Sequence, residues 1–187
     1  MNAVCAILAA GASSRMGEPK ALLRIGNRTL LDRAIAATGG RRTALVTSGA
    51  IAKLLHVPAE IQLVVNDAPQ RGMSHSLHLA NVALGVPEAP LVILLVDTPF
   101  VDAGLVDRVV SRLESRDVAY PVRAGVPGHP VVFGARARMR IAALPPGDTL
   151  RFLRDDPELL RSLATIEEDA PFTDVDTPED VRRIGRA

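Results

Sequence analysis

The chain has 187 residues, of which 48% are hydrophobic and 23% charged, and its net charge is +1. This length suits one domain with a sizeable core, residues 1–187, and the composition excludes a disordered chain. The balanced charge gives no argument for a nucleic-acid or membrane surface, and the 3% aromatic content leaves no stacking platform for single strands.

The first element is the apolar run 4–8, of the length of a buried strand. It breaks into small residues, Ala9, Ala10, Gly11, Ala12, Ser13 and Ser14, and then into two cations, Arg15 and Lys20. Small residues leave backbone N–H groups open to a ligand, and Gly tolerates the dihedrals that turn them toward one point. With two positive charges beside it, such a loop suits a polyphosphate. Read alone, the turn is common to many α/β proteins. Its spacing fails both the P-loop, since five residues separate Gly11 from Gly17, and the dinucleotide fingerprint, since Ser13 takes the second glycine position.

Further along, 29–38 reads as a helix stopped by Gly39-Gly40, 43–47 as a strand, and 50–56 as a short helix closed by Pro58. A strand is expected at 61–66 and a helix at 74–84. The most apolar run, 91–96, reads as a central parallel strand covered on both faces. A helix at 102–114 follows. Strands at 118–122 and 130–133 flank a Gly/Pro turn. Helices are expected at 136–144 and from 149 to 154, the latter with Asp148 as N-cap, and strands at 165–167 and 172–175. Thr177-Pro178-Glu179-Asp180 reads as the start of a terminal helix. Alternating strands and helices predict an α/β fold, a mostly parallel Rossmann-like sheet with helices on both faces. The apolar runs fall short of a membrane span and no secretory leader is evident, so a cytoplasmic protein is the expectation. Cys5, the single cysteine, is expected to be a buried strand residue.

Ligands of an open parallel sheet bind beyond the carboxyl ends of its strands. The 11–20 loop, Asn66 and Asp97 all follow strands, so they should meet at one edge. A carboxylate at Asp97 suits Mg²⁺, which takes one or two protein carboxylates plus phosphate oxygens; by itself it reads first as a turn-capping Asp. Asp174 and Asp176 alternate along an extended segment, and one of them could supply a second carboxylate. Arg136, Arg138 and Arg140 read as a solvated helix face, His75 and His78 as helix residues, and His129 as a turn residue near substrate.

Together these segments resemble the nucleotidyltransferases similar to molybdenum-cofactor guanylyl- and cytidylyltransferases. Residues 8–20, LAAGASSRMGEPK, resemble the signature L-A-A/G-G-x-S-x-R-M-G-x-x-K, with Ala10 closer to the cytidylyltransferase branch. RGMSHSL at 71–77 resembles the nucleoside-holding segment, LVDTP at 95–99 the metal motif, GHPVVF at 128–133 a segment near the acceptor, and DVDTPED at 174–180 the late motif. The resemblance implies a nucleotide-diphospho-sugar transferase type of fold. It implies transfer of a nucleotide from a nucleoside triphosphate, CTP ahead of GTP, to a phosphorylated small-molecule acceptor such as molybdopterin, with pyrophosphate released. Lys20 and Arg15 would be catalytic. Leu8, Ala9, Ala10, Gly11, Ala12, Ser13, Ser14, Asn66, Gly72 and Ser76 would bind the nucleotide, and Asp97 and Asp176 would hold Mg²⁺. Two departures stand out: Val96 replaces the usual Gly, and Gly147-Asp148-Thr149-Leu150-Arg151 loses a glycine and an alanine of the acceptor motif. The rival readings are an accessory protein that carries a nucleotide or finished cofactor to a molybdoenzyme without turnover, and a sugar-1-phosphate nucleotidyltransferase.

Overall fold

A computed structural model describes residues 2–10, 18–147 and 149–184. Its strands are β1 (Val4–Leu8), β2 (Arg24–Ile25), β3 (Arg28–Thr29), β4 (Thr43–Ser48), β5 (Ile61–Asn66), β6 (Leu91–Leu95), β7 (Val118–Arg123), β8 (Val126–Pro127), β9 (Val131–Phe133) and β10 (Arg161–Thr165). Its helices are α1 (Leu30–Ala37), α2 (Gly49–Ala52), α3 (Met73–Leu84), α4 (Ala103–Leu113), α5 (Ala135–Arg140), α6 (Leu150–Arg154) and α7 (Pro178–Ile184).

The main sheet runs β10-β7-β9-β6-β1-β4-β5, with β8 against β7. Along this path only β9 is antiparallel to its neighbours. The mostly parallel sheet with helices on both faces is the expected architecture. The chain lays β4 and β5 on one side of β1, then returns to place β6 on the other. The strand order therefore reverses at β1/β6, where such sheets open a crevice beyond their carboxyl ends.

Successive residues of a strand point to opposite faces, and the core divides accordingly. Cys5, Ile7, Val92 and Leu94 face one layer with Leu31 and Ala34 of α1 and Leu105 and Val109 of α4. Val4, Ala6, Leu91 and Ile93 face the other with Leu77 and Ala80 of α3 and Leu153 of α6. Both faces of β1 and β6 are thus apolar because both are covered. Truncating Ile93 to Ala would cost about 2–5 kcal/mol. Two helices open on side-chain caps: Thr29 and Asp32 form a reciprocal capping box at α1, and at α4 the Asp102 carboxylate accepts the Leu105 N–H at 2.7 Å. Among the described residues no helix is long and apolar enough to cross a membrane.

Several local expectations are corrected. The helix expected at 50–56 is one turn, Gly49–Ala52, opened by the Ser48 hydroxyl and ended before Leu54, which is exposed. The 136–144 helix is α5 followed by a 3₁₀ turn, Ile141–Ala143. Thr149 stands at the N-cap of α6 without a side-chain cap bond, and Asp148, expected there, lies outside the described residues. The strand expected at 165–167 lies upstream as β10, and 172–175 enters no strand: a 3₁₀ turn, Ala170–Phe172, precedes an extended segment. The β2–β3 hairpin, turning at Gly26 and Asn27, was not expected. Arg138 is 1% exposed, not solvated, and donates to the Asn81 side chain and to the carbonyls of Val86 and Ala89. Its flanking arginines are also engaged, Arg136 with Asp117 and Arg140 with Asp156 and Glu158.

Candidate active site

Beyond the carboxyl end of β1, Ala9 and Ala10 continue the buried run of Leu8. The Ala9 N–H donates to the Val46 carbonyl at 2.8 Å, and the Thr47 hydroxyl to the Ala9 carbonyl at 3.3 Å, which fixes the exit of the strand. Gly11, Ala12, Ser13, Ser14 and Arg15 lie outside the described residues. The chain is described again from Glu18, and Lys20 opens a 3₁₀ turn, Lys20–Leu22, after an extended Pro19.

The Lys20 ammonium donates to Asp176 Oδ1 at 2.7 Å and to Asp97 Oδ2 at 3.4 Å. One cation therefore joins three segments that are far apart in the sequence. Asp97 leaves β6 through a turn in which the Thr98 hydroxyl donates to the Leu95 carbonyl at 3.0 Å. Val96, in place of the family's glycine, turns its side chain into the core and is 6% exposed. The late segment reaches the same turn through its backbone, since the Val175 N–H donates to the Asp97 carbonyl at 2.8 Å. Asp176 then precedes α7, where Asp180 Oδ2 accepts the backbone N–H groups of Asp176 and Thr177 and the Thr177 hydroxyl. Those bonds, the Thr177 hydroxyl foremost, hold the Asp180 carboxyl below its ordinary range.

A small satellite core underlies this convergence. Leu23, Ile25, Leu30 and Val175 are buried together, with Val181 and Ile184 packed on them. It binds the segment after Lys20 to the segment before Asp176.

The electrostatics agree with the geometry. Burial alone would pull the Lys20 ammonium below its ordinary value, but the hydrogen bond to Asp176 and the charges of Asp97 and Asp176 hold it above. Asp174, which sequence reasoning left unassigned, belongs to the same neighbourhood. Burial raises its carboxyl above the usual range, Asp97 and Asp176 add to the rise, and Lys20 opposes it. The Cys5 thiol is pushed up to about 12 by burial, which makes it a strand residue and not a nucleophile.

The residues read as the nucleoside side adjoin one another. Asn66 ends β5, fully buried, and its Nδ2 donates to the Ser76 hydroxyl at 2.9 Å while its Oδ1 accepts the Ala68 N–H at 2.9 Å. Both side chains thus brace the turn before α3. Gly72 closes that turn with φ +83, and a Cβ on it would lie 3.0 Å from the Gly147 Cα. The Gly147 N–H donates to the Arg71 carbonyl at 3.0 Å, so the turn before α3 and Gly147 are in backbone contact. His75 and His78 line a crevice with Arg71 and Ser74. His129, in the loop before β9, has its imidazole pushed down to about 4 by burial; Asp97 opposes that shift and Arg154 adds to it.

The model of the MobA-like NTP transferase domain matches residues 5–165. The bifunctional protein GlmU of Ruegeria sp. (strain TM1040) is 32% identical over 126 residues, 63% of this chain and 28% of that protein. The chain therefore spans well under half the length of that curated relative. The crystal structure of Rv0371c from Mycobacterium tuberculosis H37Rv is 26% identical, with a TM-score of 0.87, covering 100% of this chain and 98% of that one. A manganese complex of Rv0371c, 24% identical over 100% of both chains, has a TM-score of 0.81. Molybdopterin-guanine dinucleotide biosynthesis protein A from Archaeoglobus fulgidus, 18% identical, shares the fold with a TM-score of 0.76 over 98% of this chain and 97% of its own.

Proposed function

The chain belongs to the MobA-like NTP transferase family, and on that premise we propose that it moves a nucleoside monophosphate from CTP, in preference to GTP, to a phosphorylated acceptor of the molybdopterin type. The observation that carries the reading is the Lys20 ammonium shared by Asp97 and Asp176 at the strand-order reversal.

In the reaction an oxygen of the acceptor phosphate attacks the α-phosphorus of the triphosphate. A new P–O bond forms, the bond from the α-phosphorus to the bridging oxygen breaks, and pyrophosphate leaves with the electron pair. An ionised phosphate needs no strong base, so catalysis is positioning and neutralisation of charge. Lys20 meets the charge that develops on the α-phosphate. Arg15 and the backbone of Gly11, Ala12, Ser13 and Ser14 cradle the β- and γ-phosphates. Leu8, Ala9, Ala10 and Gly72 line the nucleoside, with Asn66 and Ser76 bracing the turn from behind.

The donor set suits a divalent cation. Two carboxylates already converge on a single positive charge, and among the described residues there is no group of three or more His, Cys, Asp or Glu side chains able to form an all-protein cage. That is the pattern of Mg²⁺, which keeps positions for phosphate oxygens. Asp97 and Asp176 would hold it, and when bound it supplies neutralisation at the phosphate oxygens.

The test is pyrophosphate release by the full chain with Mg²⁺ or Mn²⁺, each of the four triphosphates, and acceptors that include molybdopterin and sugar 1-phosphates. Release with CTP and molybdopterin alone is expected. Release with a sugar 1-phosphate would move the acceptor class, and tight nucleotide binding without release from any pair would make the chain a carrier.

A further inference from the structure

The last strand of the main sheet has a neighbour on one side only. β10 ends the strand order, and among the described residues no strand pairs with its outer edge. The Leu160 carbonyl accepts the Val118 N–H at 3.0 Å, and the Ile166 N–H donates to the Val122 carbonyl at 3.0 Å. Even-numbered residues thus turn their backbone groups toward β7, and those of Arg161, Leu163 and Thr165 point outward. An open row of this kind is a template for another strand.

The side chains divide in the same way. Ala164 and Ile166 enter the core layer of α4. Arg161, Leu163, Thr165 and Glu167 alternate with them and share the other face, where Leu163 is 50% exposed. The charges sort more sharply. Residues 154–169 carry eight charged side chains. Six of the eight form ion pairs within the chain, from Arg154 with Asp155 to Asp169 with Arg123. Arg161 and Glu167, both exposed, have no such partner among the described residues.

A second β10, antiparallel and related by a two-fold axis at Leu163, sets each Leu163 opposite its copy and each Arg161 opposite Thr165. Arg161 of one chain is then the diagonal neighbour of Glu167 in the other, at about 7–8 Å between Cβ atoms, within reach of two long side chains. One axis therefore pairs the backbone edge, joins the exposed leucines and matches the two unpaired charges twice. The opposite edge lacks this fit. β5 also bears exposed apolar residues, Leu63 and Val65, but the charges that flank it in sequence, Glu60 and Asp67, are both acidic. Two copies of β5 would bring only like charges together.

We propose that β10 is a homodimer edge, through which two copies of this chain join antiparallel along Arg161–Thr165, with Arg161 of each paired to Glu167 of the other. The sheet then continues across the two-fold axis from one copy into the next. This interface is independent of the transfer reading.

The experiment is sedimentation velocity of the full chain between about 1 and 200 μM. Two short edges make an interface at the low end of the size range, so a reversible dimer with a micromolar Kd is expected. Arg161→Glu and Glu167→Arg each set like charges against one another and should weaken the dimer at least about tenfold. An equal mixture of the two variants should restore it, because every mismatched charge then meets its opposite. Leu163→Lys should abolish it, alone or mixed. Should a variant not fold, hydrogen exchange on the unmodified chain decides: the amides of Leu163 and Thr165 should slow as concentration rises. A monomer at 200 μM, a dimer indifferent to Arg161→Glu, folded variants that stay monomeric when mixed, or amides indifferent to concentration would overturn the assignment. A dimer broken by Val65→Lys and not by Leu163→Lys would move the interface to β5 and overturn it as well.

Discussion

Two cations of this molecule, Lys20 and Arg138, are held by opposite kinds of partner. The Lys20 side chain, 18% exposed, is gripped by two carboxylates at the mouth of the cleft. Arg138, at the junction of α3 and α5, is gripped by one amide and two carbonyl oxygens with no carboxylate in contact. The first set of partners is anionic and raises the ammonium above its ordinary value; at the second, burial lowers the guanidinium, with Glu88 opposing. Carboxylates can exchange one cation for another, while neutral backbone carbonyls with a guanidinium already fixed among them are not suited to it. A basic residue held by exchangeable anions is equipped for chemistry, and one held by fixed neutral dipoles is a structural staple.

The largest effect expected at the cleft is from Asp97→Asn: pyrophosphate release falls about 10²–10³-fold, while the melting temperature stays put. A large drop in melting temperature would erase the contrast with Arg138. Lys20→Met should cost about 10²-fold in kcat, with less effect on nucleotide affinity, and should tighten Mn²⁺ binding in the absence of nucleotide because the ammonium no longer competes for the carboxylates. Calorimetry that shows weaker Mn²⁺ binding would contradict the exchange. Arg138→Met should do the opposite, leaving kcat unchanged and destabilising the fold by about 2–3 kcal/mol through its abandoned acceptors, at about 2–4 °C of melting temperature per kcal/mol.

Acid sharpens the comparison from a third direction. Burial pushes the His129 imidazole down from its ordinary 6.5 to about 4, so between those values the unfolded chain binds more protons. Stability should therefore fall as pH drops from 6.5 toward 4, and denaturant melts of His129→Gln should show a shallower fall. The smallest effect is at Cys5: with its thiol pushed up to about 12, the folded chain should resist a thiol reagent at pH 8 and react only when unfolded.

The parts of the fold that could be read were those in which one physical signal dominates. The runs at β1 and β6 are apolar on both faces and are buried on both. Lys20 and Asp97 could be brought together because each follows a strand of the same sheet, and strand ends share an edge. The misses have equally plain causes. Arg136, Arg138 and Arg140 are two residues apart, and at 100° per residue the middle one points away from its neighbours, toward α3. β10 is an edge strand of which Ala164 is the buried member, so its sequence carries almost no apolar pattern. Asp174 could not be told from Asp176, since residues two apart on an extended segment share a face and the pattern does not say which of them reaches Lys20. The satellite core has no periodicity to reveal it, for Val175 sits alone between polar residues and finds its partners some 150 positions upstream.

That small cluster of Leu23, Ile25, Leu30 and Val175 has a mechanical consequence. It is the rivet between two jaws, one bearing a lysine and the other an aspartate, which stand on the turn that leaves β6. Shaving a methyl group from Ile25 would loosen the jaws without touching a single charged atom. Selection on catalytic rate could therefore act on the hairpin β2–β3, which lies apart from the main sheet and carries none of the chemistry itself.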